Sequence, residues 1–529
     1  MLPDTLSRRA APALAPALAL ALALALAGHS AAAADPLFQR VATGIGHSYT
    51  GGWEHFVGGG VAVFDCDSDA RPEIYAAGGT TPAALLRNTP GDTLSFTQDT
   101  PPELALTGVT GAYPLDIDGD GLLDLAVLRV GANLLLRGSG DCRFSAFPDS
   151  LGFVSGDRWT TAFSATWEAG QSLPTLAFGN YVDRTDPKGP FEACDINILM
   201  RPRGRSYDTP AELAPGYCAL SMLFSDWGRH GRADLRVSND RHYYVRAGEE
   251  QMWAMEPTPR LYGPEDGWQR QRLWGMGIAS RDLDFDGLPE IYLTSMGDQI
   301  LQSLAQGPDR PDYANARYDR GVTAHRPFLG DDGRPSTGWH PAFGDIDNDG
   351  RDDLFVAKGN VDQMPSNAFA DPNNLLMQGP DGRFTETAPQ AGVATTDRAR
   401  GAALADLDRD GRLDLVVLNR RAAIEIYRNV TSGTGNWLSV DLSQDGPNSR
   451  AIGAWIELDT GQHVIARELT VGGGHVGGTA LPEHFGLGTQ DSLRLRVIWP
   501  DGATSDWQPL TVNRHISLQR RGDGFDILP

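Results

Sequence analysis

The chain has 529 residues and carries 45 Lys and Arg against 68 Asp and Glu, a formal charge of −23 at pH 7. That balance excludes nucleic acid as a partner, because phosphate binding needs clustered cationic side chains. The length suits one large repeat architecture plus a smaller domain, and after the N-terminus no stretch approaches the roughly 18 apolar residues of a membrane span.

Residues 1–34 read as a signal peptide. Ser7-Arg8-Arg9 supplies a cationic start, the Ala/Leu run at 10–27 an apolar middle and SAAAAD a small-residue cleavage site, which predicts a cut after Ala34. The mature chain is then exported, periplasmic or secreted, with the arginine pair leaving both Sec and twin-Arg export open. The four cysteines, Cys66, Cys142, Cys194 and Cys218, form no CxxC or Cys/His cluster, so disulfides are expected in an oxidising compartment. Of the three connectivities, Cys194–Cys218 is favoured because both lie in one irregular stretch; Cys66–Cys142 follows by elimination.

An acidic phrase occurs five times: DCDSDARPEI (65–74), DIDGDGLLDL (116–125), DLDFDGLPEI (282–291), DIDNDGRDDL (345–354) and DLDRDGRLDL (406–415). Each has acids at relative positions 1, 3, 5 and 9, and four have Gly at position 6, where a positive φ lets the oxygens converge. A hard cation taking six to eight oxygens fits, calcium better than magnesium. The expected ligands are Asp65, Asp67, Asp69, Glu73 and the backbone oxygen of Arg71; Asp116, Asp118, Asp120, Asp124 and that of Leu122; Asp282, Asp284, Asp286, Glu290 and that of Leu288; Asp345, Asp347, Asp349, Asp353 and that of Arg351; and Asp406, Asp408, Asp410, Asp414 and that of Arg412. An EF-hand is excluded, because it needs Glu at position 12 and flanking helices. Position 12 holds Ala76, Val127, Leu293, Val356 and Val417, and the flanks are short apolar strands.

The spacing between the second and third copies is far longer than the rest and hides two further units. LFSDWGRHGRADLRV (223–237) keeps Asp226, Gly231 and Asp234 at positions 1, 6 and 9 but has Gly228 and His230 for the middle acids, which predicts a hairpin that has lost its metal. LAFGNYVDRTDPKGPFEACDINILM (176–200) again begins as an apolar strand ending in acid, before a longer loop. ALLRN (84–88), NLLLRG (133–138), NNLLMQG (373–379) and IEIYRN (424–429) each supply a further strand after a loop. Four short strands per unit over seven units predict an all-β fold, a seven-bladed β-propeller.

The acidic phrase resembles the FG-GAP calcium repeat of integrin α-subunit propellers and their bacterial relatives. GRFTETAPQAGVATTDRARGAALADLDRDGRLDLVVLN (382–419) resembles bacterial members that also carry an ASPIC/UnbV domain, the family that includes cartilage acidic protein. After a Gly/Ser/Thr linker (431–435), alternating short apolar runs predict a small antiparallel β-domain. Its HFGLG and WPDG pieces resemble ASPIC/UnbV. The chain departs from the family at HVGGTALPE (475–483), where a Ser/Gln pair would follow the glycine turn. The expected domains are a signal peptide at 1–34, the FG-GAP/VCBS propeller at 35–432, ASPIC/UnbV at 433–521 and a tail at 522–529.

If the acidic loops join first to second strands at the lower face, the residues flanking those strands meet at an upper mouth. His55, Trp159, Trp274, Trp339, His340, Lys358, Asn360 and Arg400 fall there, and aromatic rings among polar groups suit a carbohydrate or protein ligand. Catalytic signals are thin, with no HExxH and no GxSxG. The reading is an exported calcium-binding module for ligand binding, adhesion or protein interaction, with about five structural Ca²⁺ and no enzymatic activity. The alternative is a secreted enzyme acting on polysaccharide or a small metabolite at the mouth.

Overall fold

The computed structural model describes residues 34–528 apart from 92, 188, 190–192, 241–247, 324–333 and 363. The expected signal segment, save Ala34, lies outside the described residues. Seven four-stranded antiparallel units are present among them before residue 431, those of blades 2 and 3 joined through residues 157–159 and 130–132 into one eight-stranded sheet and that of blade 1 extended by a fifth, parallel strand. Blade 1 opens with Val61–Phe64, blade 2 with Val109–Leu115, blade 3 with Asp157–Thr166 and blade 4 with Ala219–Ser225. Blades 5, 6 and 7 open with Gly275–Arg281, Gly338–Gly344 and Ala399–Ala405. These first strands pack side by side in order, and the seventh meets the first, closing a ring. Phe38–Arg40 closes it further by pairing with Glu425–Asn429 as the outer strand of blade 7. Second strands such as Asp414–Asn419 (DLVVLN) are buried along their whole length, as stacking of a sheet on both faces requires.

Blade 3 differs from its sequence reading. Thr175–Asn180 is the blade's second strand and not its first; the first is Asp157–Thr166, and the two are antiparallel partners. The hairpin between them is WEAGQSLP, which carries no acidic phrase, and the long loop after residue 180 connects the second strand to the third, Asn197–Met200.

Residues 436–528 form two further four-stranded sheets around a core that includes Leu438, Ile456, Phe485, Leu495 and Trp499. Two expectations need correction. Asn436–Ser443 runs parallel to Arg514–Arg521, so the domain is mixed and not wholly antiparallel; parallel neighbours need a long crossover, and the intervening chain supplies the second sheet. Within the segment expected as a tail, Gly524–Leu528 is the edge strand beside Arg514–Arg521 and so belongs to the C-terminal domain.

Both disulfides pair as expected, Cys66–Cys142 and Cys194–Cys218. Cys66–Cys142 ties the first acidic loop to blade 2 across 76 residues of sequence. Replacing both cysteines by Ser is expected to cost about 4.5 kcal/mol, as for a closed loop of that size, measured by urea unfolding at saturating calcium.

Candidate metal centres and a closed channel

The acidic phrases form hairpin loops between first and second strands in blades 1, 2, 5, 6 and 7. One backbone scheme recurs. The position-1 carboxylate accepts the position-6 N–H, from Asp345–Gly350 at 2.7 Å to Asp282–Gly287 at 3.1 Å. The position-9 carboxylate accepts the position-2 N–H, as in Asp124–Ile117 at 2.7 Å and Glu290–Leu283 at 2.8 Å. Positions 4 and 6 are left-handed in every copy, including the non-glycine residues Ser68, Ala70, Phe285, Asn348 and Arg409. Each such residue is strained by roughly 1 kcal/mol or more, so something must hold the loop in that shape.

Carboxylate oxygens from positions 1, 3 and 9 gather within 4.8 Å in Asp65/Asp67/Glu73, Asp116/Asp118/Asp124, Asp282/Asp284/Glu290 and Asp345/Asp347/Asp353. The position-5 acids turn instead to the position-7 N–H, as Asp120 does to Leu122 at 2.9 Å. In every one of the five loops at least one buried carboxylate oxygen has no hydrogen-bond partner: Asp65 Oδ1 and Glu73 Oε1, Asp118 Oδ1, Asp282 Oδ1, Asp347 Oδ1 and Asp408 Oδ1. A buried acceptor left bare is costly and calls for an explanation. Burial, with the neighbouring carboxylates adding to it, pushes Glu73, Asp124 and Glu290 up to about 8 and Asp282 and Asp406 up to about 7. A cation among them would satisfy the bare oxygens and hold the acids ionised, so the residues fit a hard metal.

Blade 4 supplies the contrast. Asp226 accepts from the N–H groups of His230 and Gly231, both at 2.7 Å. Asp234 accepts from Trp227 Nε1, Arg232, the Tyr262 hydroxyl and Met255 N–H. Neither aspartate has a bare buried oxygen. The hairpin frame survives, and the protein itself fills the places a metal would take.

Among the described residues, the groups expected at the upper mouth are mostly buried. Trp159, Trp339, Lys358, Asn360 and Arg400 have essentially no exposed surface, His340 and His55 are buried, and Trp274 is half-buried. In six blades the first strand has a register irregularity near its start, and such bulges re-aim side chains. Arg400 lies over the Trp339 ring at 4.1 Å and donates to the carbonyls of Phe56, Asn360 and Val361. Lys358 pairs with buried Asp371 at 3.0 Å, and Asn360 donates to the carbonyls of Met364, Asn367 and Ala368. Phe56 and Val57 pack into the same cluster as Trp159 and Trp339, and Trp53 stacks on Phe56. The residues of the expected ligand face are therefore largely buried: Arg400, Asn360 and Trp339 donate to backbone carbonyls and Lys358 pairs with Asp371, while Trp159 Nε1 and His55 Nδ1 have no hydrogen-bond partner among the described residues.

Sequence reading missed what fills the ring. The C-terminal glycine-rich segment (VGGGHVGG, 471–478) runs inside it. Val471 O accepts from Ala165 in blade 3, the Gly473 N–H donates to Met222 O in blade 4 and the Gly474 N–H to Ile278 O in blade 5. His475 N–H donates to His340 Nδ1 in blade 6 at 3.0 Å, and Thr479–Ala480 add to blade 1 as a parallel strand beside Val63–Phe64. Gly472, Gly473, Gly474 and Val476 have positive φ, a run of left-handed residues that glycine makes cheap. Beside this segment, between propeller and C-terminal domain, lies a cavity of about 510 Å³ lined in part by Arg281, Arg467, Glu483 and His484.

Burial lowers His340 to about 4 and His475 to about 3, with Arg400 adding to the effect on His475. Both folded-state values lie below the ordinary histidine value, so their neutral forms favour folding above about pH 6.5, and that contribution is lost as pH falls toward 4. The melting temperature at fixed calcium should fall from pH 7 to pH 5, and less steeply in His340→Gln; equal slopes would refute the assignment.

Residues 444–523 match the ASPIC and UnbV family, and residues 65–127 and 362–417 match the FG-GAP-like repeat. The chain carries FG-GAP-like repeats and an ASPIC/UnbV domain. It is homologous to cartilage acidic protein 1: 24% identical to that of Mus musculus over 511 residues, 89% of this chain and 73% of that one. It is 23% identical to that of Homo sapiens, over 89% and 72%. A solved lectin of Agrocybe aegerita overlaps 71% of this chain and 95% of its own at 13% identity, with a TM-score of 0.38. The matched repeats take in the acidic loops of blades 1, 2 and 7, and the ASPIC/UnbV match takes in the threaded segment.

Proposed function

We propose that the protein is an exported calcium-binding propeller, its metals structural, that acts as a ligand-binding, adhesion or protein-interaction module. The bare carboxylate oxygens carry this reading: they occur in all five acidic loops and not at the two aspartates of blade 4. In each loop the acids at positions 1, 3, 5 and 9 and the position-7 carbonyl would hold the Ca²⁺, with position 5 swinging from its Asx-type turn to join. Two disulfides and the similarity to cartilage acidic protein 1 support an extracellular setting. Among the described residues no helix is long and apolar enough to cross a membrane. The matched families do not point to an enzyme, and among the described residues His340 and Arg400 are buried, which favours a binding role over turnover at the mouth. The partner, a carbohydrate or a protein, engages an outer surface.

Metal analysis of the purified protein should find about five calcium per chain, a carbohydrate and protein array at millimolar calcium should find binding without product release, and Asp414→Asn should lose one calcium while Asp234→Asn loses none. Absence of bound calcium, or turnover of a bound saccharide, would overturn the proposal.

A further inference from the structure

We propose that the metal loops are also the docking surface of the C-terminal domain, with Ser449 a cross-domain residue of the Asp116 centre, so that calcium binding and domain docking strengthen each other. This rests on the calcium reading above.

Contacts to the C-terminal domain recur at position 4 in three of the loops, beside others such as Arg467 with Asp352 and His515 with Asp406. In the blade 2 loop, the residue at position 4 is Gly119, where a Cβ would lie 2.9 Å from Pro447 Cα, and the neighbouring Ser449 hydroxyl donates to Asp116 Oδ2. In blade 5 position 4 is Phe285, whose ring stacks on His463 at 3.8 Å. In blade 6 it is Asn348: its carbonyl accepts from Gly488 N–H at 2.8 Å, and its Oδ1 meets His484 Nε2 at 2.8 Å. All three are left-handed. Position 4 lies between the acids at 3 and 5, and turning those acids toward one point forces the residue between them outward, at the C-terminal domain. The metal thus sets the shape of the surface that the domain grips. Docking holds that shape in return, and by linkage the two effects on affinity are equal.

Glu457 offers a test that leaves the acids alone. It pairs with Arg229 in the blade 4 loop, which has no metal frame. Glu457→Ala should weaken docking and lower calcium affinity, measured by chelator competition, about fivefold or more. Ser225→Ala, which removes a hydroxyl bonded to Glu468, should act in the same direction with less risk to folding. Ser449→Ala should weaken one site only. In wild type, hydrogen exchange at Gly473 and Gly474, whose N–H groups bond inside the ring, should accelerate in EGTA before far-UV circular dichroism is lost. If no calcium binds at all, the calcium reading fails and this inference with it. If calcium binds but Glu457→Ala and Ser225→Ala leave its affinity unchanged, or the two glycines stay protected in EGTA, the inference alone is overturned.

Discussion

Stripping calcium from the proposed sites is expected to lower the melting temperature by about 10 °C or more, and to do so cooperatively. With site Kd values on the order of 10⁻⁴ M, as in extracellular modules, 1 mM calcium stabilises the folded chain by about 1.4 kcal/mol per site and about 7 kcal/mol for five. A protein of this size shifts by somewhat less than the 2–4 °C per kcal/mol of a smaller domain. The apo protein loses more than binding energy. Its loops keep left-handed Ser68, Phe285, Asn348 and Arg409 held only by their own hydrogen bonds and the docked domain, and their buried carboxylates must take up protons or repel one another. Differential scanning calorimetry in 1 mM calcium and in excess EGTA measures the shift. Readdition of calcium should restore the transition, whereas magnesium at the same concentration should not, because it demands a tighter octahedron and keeps its waters. Unchanged melting in EGTA would remove the structural role assigned to the loops.

The acidic phrase was readable because a hairpin that aims carboxylate oxygens at one point fixes residue type and spacing together and tolerates little variation. Even the degenerate copy at Asp226–Asp234 kept the positions that serve the backbone: the position-1 and position-9 acids, and Gly231 with its φ of +75°. Blade 3 was misframed because its true first strand, DRWTTAFSAT, lacks an apolar run. Thr160, Thr161 and Ser164 are fully buried in it, since this strand faces another backbone: Ser164 Oγ donates to Val471 O and accepts from Phe224 N–H. Sequence pattern alone cannot distinguish such a strand from a loop. The mouth misled for a related reason. Trp339, Arg400 and Lys358 are the residue types of a ligand site, but they are also the types that satisfy buried carbonyls and carboxylates, and only the path of the chain decides which. The parallel pairing of Asn436–Ser443 with Arg514–Arg521 joins strands about 70 residues apart, beyond the reach of local turn signals.

The threaded segment makes the largest single-residue prediction. Gly111 in blade 2 and Gly60 beside blade 1 face the Val476 carbonyl so closely that a Cβ would lie 1.6 Å and 1.7 Å from its oxygen, about half a van der Waals contact. The neighbour is backbone and cannot rotate away. Nor can the segment shift as a whole, because Gly473, Gly474 and Thr479–Ala480 fix it to blades 4, 5 and 1. Gly111→Ala therefore either expels the segment or splays the first strands of blades 1 and 2, and it should destabilise the protein by about 3 kcal/mol or more, the upper range for overpacking. Gly46→Ala is the control: nothing lies within 4 Å of its Cβ position and its φ is not positive, so it should stay within about 0.5 kcal/mol of wild type. Urea unfolding of both variants at saturating calcium gives the comparison, and hydrogen exchange at Gly473 separates the two routes, since expulsion exposes its N–H before the propeller unfolds. A Gly111→Ala protein as stable as wild type would mean that the glycine-rich segment does not occupy the ring.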